Sequence, residues 1–395
     1  MDKAEKIKEV LTRGVENIYP STAVLEKVLQ SNKKLKMYWG IDPTGKLHVG
    51  HGVALNKLRQ FQELGHEVII LIGDFTAMVG DPTGKSGARK PLTRKEVLRN
   101  AKDYKKLIAK VLNLKKTKFD YNSRWLAKMK LADVIELMSH FTASRLLERD
   151  MFQQRLKTGH EVFAHELLYP ALVGYDCVAL NVDLELGGND QTFNMLTGRT
   201  LMKKMKDKEK FVLATKLLVD PSGKKMGKTE GNMVNLDDTP EEMYGKVMSW
   251  PDNLIVTGFE IATTVPMDQV QRVVAGLAAN DNPKSYKMQL AQAIVTIYHG
   301  EKAARHAEQQ FAQVFNEGLN PDDITEIKIK AKNIIDVLVE TKLAASKSEA
   351  RRLIAQGAIR VDQHKLEDDT FTIGSVDKDG IVIQKGKRHF VKIVK

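Results

Sequence analysis

"MYWGIDPTGKLHVGHGVALNKLRQFQELGHEVIILIGDF", residues 37–75, decides the fold. Residues 37–41 are a short apolar run that enters an Asp-Pro-Thr-Gly-Lys turn. Ala54, Leu55, Leu58, Phe61 and Leu64 then recur at helical spacing, and Gly65 is placed to stop the helix. A second apolar run, "EVIILIGDF", follows directly. Strand, turn, helix and strand make the first unit of a doubly wound parallel sheet, so the expected class is α/β.

His48 and His51 stand three residues apart at the start of that helix. They share a face with the free N–H groups of the first turn. Gly50 between them lets a ligand approach the backbone closely. A helix N-terminus with two imidazole donors suits a polyphosphate. Zinc is the rival reading, but no third ligand stands at metal-site spacing, and no protein-held metal is expected. The turn recurs as "DPTGK" at 81–85 and as "DPSGK" at 220–224. The second copy is not a P-loop, because only three residues separate Gly80 from Gly84. Each copy reads as a Pro-Gly turn at the carboxyl end of a strand, where ligands bind in open α/β sheets. Lysines crowd two of them: Lys85 with Arg89 and Lys90, and Lys224, Lys225 and Lys228 around Met226 and Gly227. Such basic loops can close over an anion.

The chain has 395 residues, enough for two or three domains, and 62 Lys+Arg against 50 Asp+Glu give it a net charge of +12. That surplus suits a polyanionic partner, most often nucleic acid. One cysteine, Cys177, excludes an internal disulfide and fits a reducing, cytoplasmic setting. Cys177 reads as a small buried apolar residue rather than a nucleophile. No window approaches a membrane span, and the first residues resemble neither a secretory signal nor a transit peptide.

"HVGH" at 48–51 joined to "KMGKT" at 225–229 resembles the paired motif of class I aminoacyl-tRNA synthetases. "YWGIDPTGKLHVGH", "GDPTGK", "HELLYPALVGYD" and "LELGGNDQTFN" occur in the order seen in bacterial tyrosyl-tRNA synthetases. The resemblance covers nearly the whole chain. It implies a Rossmann-like catalytic domain at 1–235, with a connective, dimer-forming insertion at about 120–165. A helical domain near the tRNA anticodon would span 236–322. A small α+β RNA-binding domain of the ribosomal small-subunit type would span 327–395.

The resemblance also implies the chemistry. Tyrosine attacks ATP to give tyrosyl-adenylate and pyrophosphate, and a ribose hydroxyl of tRNA(Tyr) then takes the tyrosyl group. ATP is a substrate that brings Mg2+; no tightly bound cofactor is implied. Thr44, His48 and His51, with Lys85, Arg89, Lys225, Lys228 and Thr229 from the basic loops, match positions that hold the triphosphate. Gly40, Asp42, Gly50, Gly188, Asp190 and Met226 match positions lining the nucleotide site. Tyr38 and Asp176 match the pair that bonds the substrate phenol, which both donates and accepts. Asp81 and Tyr169 match ligands of the substrate ammonium, and Gln191 matches a position lining the amino-acid and nucleotide pockets. Val173 departs from the family, which often carries Gln there; either Asp81 and Tyr169 suffice for the ammonium, or a neighbour such as Gln191 substitutes.

In the tail, 327–395, 15 Lys/Arg face 9 Asp/Glu. "SKSEARRLIAQGAIRVD" carries a capping box at Ser346 and Glu349 and a Gly357 stop. Lys347, Arg351 and Arg352 would form a basic face for RNA phosphates. Two other readings stand beside this one. A tryptophanyl-tRNA synthetase shares the crevice but lacks Tyr38 and the tail. A non-catalytic RNA-binding protein with a synthetase fold would have damaged motifs, whereas His48, His51, Lys225 and Lys228 are all present.

Overall fold

A computed structural model describes residues 2–31, 33–83, 92–219, 233–313, 324–329, 331–374, 376, 380–386 and 389–394. The chain divides into two compact units. One holds 1–238 and 249–298; the other holds 239–248 and 299–395. The stretch expected to form one helical domain, 236–322, is therefore shared between them.

The first unit is built on six strands: β1 (Val15–Tyr19), β2 (Lys36–Ile41), β3 (Glu67–Ile72), β4 (Thr117–Tyr121), β5 (Leu184–Gly188) and β6 (Phe211–Thr215). Their spatial order is β1-β6-β5-β2-β3-β4. Only β1 runs antiparallel, against β6. The others pair in parallel. Parallel strands are covered on both faces, which is why β3 reads as an unbroken apolar run with Val68 to Ile72 all buried. The chain steps outward from β2 through β3 to β4, then returns to add β5 and β6 on the other side. The order reverses between β2 and β5, so the crevice of a doubly wound sheet must open at their carboxyl ends.

The helix Val49–Glu63 connects β2 to β3, as the spacing predicts. It buries Leu55, Leu58 and Phe61, and Gly65 leaves it at φ +90°. The helices Ala164–Leu180 and Thr192–Lys206 pack together and flank β5. The expected insertion begins inside β4 and continues through the short helices Leu131–Ser139, Ala143–Leu147 and Asp150–Lys157.

In the second unit the helices Pro240–Met248 and Glu301–Ala312 pack together, with the Tyr244 and Phe311 rings 5.4 Å apart. A five-stranded sheet follows: β7 (Thr325–Lys328), β8 (Ile359–Val361), β9 (His364–Lys365), β10 (Ile381–Lys385) and β11 (His389–Val394). Its order is β7-β11-β10-β8-β9. It shares a core with two helices through Ile334, Leu338, Ile354, Ile383 and Ile393. Ser346 caps the helix Lys347–Ala355 by accepting from the Glu349 N–H at 3.2 Å. The expected capping box is only half made, because the Glu349 carboxylate turns to the Ala345 N–H at 2.8 Å. Gly357 ends this helix at φ +64°, as expected.

Candidate active site

A cavity of about 480 Å³ opens at the carboxyl ends of β2 and β5. Tyr38, Gly40, Asp42, Thr44, His48, Gly50, His51, Asp81, Tyr169, Val173, Asp176, Gly188, Asp190 and Gln191 all line it. The first Pro-Gly turn and the described start of the second, residues 81–83, thus border one cavity. Lys85, Arg89, Lys225, Met226, Lys228 and Thr229, with the third turn, lie outside the described residues. Lys347, Arg351 and Arg352 belong to the second unit. There, Lys347 pairs with Asp336 at 2.7 Å and Arg351 stands 3.6 Å from Asp369. Exposed pairs of this kind are weak enough for a phosphate to replace.

The two histidines are fixed by backbone. The Val49 N–H donates to the Val234 carbonyl, and the Leu236 N–H to Leu47, which pins the turn before the helix. The His48 N–H donates to His51 Nδ1 at 3.1 Å, which leaves His51 Nε2 to carry the ring proton. Burial, and then the neighbouring His48, hold the His51 pKa well below 6.5, so His51 is a neutral donor at physiological pH. The two rings lie 3.9 Å apart. A methyl at Gly50 would come within 2.9 Å of the His48 ring.

A buried hydrogen-bond chain runs along one wall. Tyr169 donates to Asp42 at 3.0 Å, and Thr76 donates to the other Asp42 oxygen at 2.7 Å. Asn122 donates to Thr76 at 3.0 Å and to Asp176 at 3.2 Å, and the Trp125 indole donates to Asp176 at 2.7 Å. Asp42 therefore props up Tyr169. Burial pushes the Asp176 carboxyl well above the usual range against these two donors, and the Glu185 and Asp42 charges add to the push. Burial likewise raises the Tyr169 phenol. Asp81 accepts from Thr83 at 2.6 Å and from the Gln191 amide at 3.0 Å. Asn194 holds that Gln191 in turn at 2.7 Å. An amide thus reaches Asp81 even though Val173 supplies none.

Cys177 departs from expectation. It is buried, but its sulfur stands 3.1 Å from the Tyr38 hydroxyl and 3.3 Å from Glu185, and Lys210 donates to it at 3.1 Å. Burial and the Glu185 charge push its thiol up to about 12, so it stays protonated and the non-nucleophilic reading is retained. Glu185, Lys210, Asn122, Trp125 and Thr76 were not singled out from sequence. "LELGG" does carry one signal, a charged residue inside an otherwise buried strand. Among the described residues no group of three or more His, Cys, Asp or Glu is arranged to hold a metal. No helix there is long and apolar enough to cross a membrane.

The family profile described as "tRNA synthetases class I (W and Y)" matches residues 30–316. One described as "Tyrosine–tRNA ligase SYY-like C-terminal domain" matches 310–393. The chain is 44% identical to the tyrosine–tRNA ligase of Carboxydothermus hydrogenoformans, over 100% of this chain and 99% of that one. It is 41% identical to that of Thermotoga maritima, over 100% and 98%. A C-terminally truncated mitochondrial tyrosyl-tRNA synthetase from Aspergillus nidulans shares the fold, with TM-score 0.66 and 22% identity over 78% of this chain and 94% of that one. The Archaeoglobus fulgidus tyrosyl-tRNA synthetase, solved with L-tyrosine, gives TM-score 0.62 and 22% identity over 78% and 100%.

Proposed function

The chain belongs to the class I tRNA synthetases, within them to the tyrosine–tRNA ligases, and from that premise we propose that tyrosine and ATP meet in the cavity between β2 and β5. The enzyme activates L-tyrosine with ATP and passes the tyrosyl group to the 3′ end of tRNA(Tyr). A tyrosine carboxylate oxygen bonds to the α-phosphorus while the bond from that phosphorus to the pyrophosphate oxygen breaks. No protein nucleophile takes part, so the residues act by positioning and by stabilising charge.

Tyr38 and Asp176 face the phenol. Asp81, steadied by Gln191 and beside Tyr169, receives the ammonium. Gly40, Asp42, Gly50, Gly188 and Asp190 border the nucleotide. Thr44, His48 and His51 donate to the phosphates as negative charge shifts onto pyrophosphate. Lys85, Arg89, Lys225, Lys228 and Thr229 would join them from their loops, beside Met226. Mg2+ would arrive on the ATP phosphates, hard oxygen ligands that suit it. Lys347, Arg351 and Arg352 would take tRNA phosphates within an RNA-binding module at 327–395, with 236–322 near the anticodon. The 120–165 segment would pair two chains into a homodimer, and the work would be cytoplasmic.

The observation that carries this reading is one cavity holding both a phenol-matching pair and the two helix-start histidines. Amino-acid-dependent ATP–pyrophosphate exchange, run with tyrosine, tryptophan and phenylalanine, tests it. Exchange with tyrosine alone is expected. Because Gln191 already reaches Asp81, Val173→Gln should leave the tyrosine KM within about twofold. Exchange with tryptophan would overturn the phenol site. No exchange from folded protein would favour an RNA-binding role without catalysis.

A further inference from the structure

Tyr38 and Glu185 are register partners on β2 and β5, the two strands at the switch point. Their side chains therefore lie together at the cavity wall. The Tyr38 hydroxyl donates to Glu185 Oε1 at 2.6 Å. Glu185 Oε2 takes Lys210 Nζ, and Cys177 donates to the same oxygen at 3.3 Å. Lys210 is fully buried and donates also to the Met195 carbonyl at 3.0 Å and to Cys177. All three ammonium protons thus have acceptors. Burial works against the Lys210 charge, but the Cys177 sulfur and the Glu185 carboxylate more than offset it, and its pKa lies above the ordinary value. Gly198 makes the space: a Cβ there would fall 2.5 Å from Cys177 Sγ and 2.9 Å from Lys210 Nζ.

Two buried charges paired beneath a binding cavity are costly to desolvate and poor evidence for stability. Their effect on Tyr38 is specific. A phenol has one proton, and here it is committed to a carboxylate that only accepts. The Tyr38 oxygen then presents lone pairs, and no donor, to the cavity.

We propose that the Glu185–Lys210 ion pair is a positioning device that turns Tyr38 into a hydrogen-bond acceptor and so reads the phenolic proton of the substrate. The inference rests on the assignment of Tyr38 and Asp176 to the substrate phenol. The direction is one-way: substrate O–H to Tyr38, Tyr38 O–H to Glu185. A ring whose para substituent only accepts would meet the Tyr38 lone pairs and be rejected.

The test is pyrophosphate exchange by the full chain with tyrosine and with 4-fluorophenylalanine, whose para group has no proton. Glu185→Gln keeps the shape; its carbonyl can still accept from Lys210 while its amide N–H donates to Tyr38. That turns the Tyr38 proton into the cavity. The tyrosine KM should rise about fivefold, the worth of one neutral hydrogen bond, and the preference over 4-fluorophenylalanine should narrow by a similar factor. The kcat and the ATP KM should hold within about twofold. Glu185→Leu with Lys210→Met removes both charges and the acceptor of the Tyr38 proton, folds without a stranded ammonium, and should show the same narrowing. An unchanged tyrosine KM in either folded variant, or equal loss with both amino acids, would overturn the proposal. Tyr38→Phe separates the two levels. If it raises the tyrosine KM while Glu185→Gln does not, this inference alone fails; if it changes nothing, the phenol site itself is misplaced.

Discussion

Lys57 lies on the helix that carries His48 and His51, 4% exposed, with its ammonium donating to the Val10 carbonyl at 2.9 Å. Burial, and then the Arg13 charge, lower its pKa from 10.5 to about 7, against the pull of Glu9 and Glu260. In the unfolded chain the same group holds its proton up to the ordinary value. Between pH 7 and about 10.5 the unfolded state therefore binds more protons, and folding stability must rise with pH across that window. Below pH 7 both states are protonated and the penalty is constant. Lys57→Met removes the titration. We expect the urea midpoint of the wild type to gain on that of the variant steadily from pH 7 to 10. Parallel pH profiles would show that Lys57 keeps its proton in the fold. None of this was legible in the sequence, where Lys57 sits among apolar residues as one more helix position. The residues that were legible, His48 and His51, announce themselves because their position follows from strand, turn and helix start alone.

At the scale of elements, the β2–turn–helix–β3 unit could be read directly, because continuous apolar runs and a Gly stop are local signals. What could not be read was which strands lie side by side. Glu185 becomes a partner of Tyr38 only because β5 returns to pair with β2, and Lys210 joins them only because it precedes β6. Cys177, on the helix Ala164–Leu180, was rightly read as buried, but its polar neighbours were missed for the same reason: they come from β2, β5 and the residue before β6. The turn after β3 shows how tightly these ends are fitted. A Cβ at Gly73 would lie 2.0 Å from Asp42 Oδ1 and 2.5 Å from Thr76 Oγ1. Gly73→Ala must therefore push Asp42 away from Thr76 and Tyr169. Overpacking of this kind costs roughly 1–3 kcal/mol, and here it falls on the group that props Tyr169. The kcat/KM for tyrosine in pyrophosphate exchange should drop by about ten- to a hundredfold, the same energy expressed as a rate ratio. The far-UV spectrum should be unchanged. A Gly73→Ala enzyme with wild-type kcat/KM would mean that Asp42 has room to yield and does not support the substrate.

For the whole molecule, the open question is what covers the apolar residues left on the surface of the insertion. Leu131 is 76% exposed and Ile135 62%, on one face of a nine-residue helix. Four residues apart, they point the same way. Tyr121, Leu156 and Phe163 are also among the exposed large apolar side chains of this part of the chain. Single exposed leucines need no explanation, but two on one helical face, with three further exposed apolar side chains in the same stretch of chain, suit an interface. In a two-fold dimer the same patch meets itself, so each residue is buried twice. Fully burying a leucine or isoleucine is worth about 1.5–3 kcal/mol, so four such side chains supply a substantial part of what association requires. The wild-type chain, 44.4 kDa, should sediment as a dimer at micromolar concentration. Leu131→Asp with Ile135→Asp should sediment as a monomer, because burying unpaired like charges in that contact costs more than the lost apolar area alone. Both substitutions lie on solvent-facing positions, so the variant should melt as cooperatively as the wild type. A wild type that sediments as a monomer, or a variant that remains dimeric, would move the interface away from this helix and leave the apolar face without a partner.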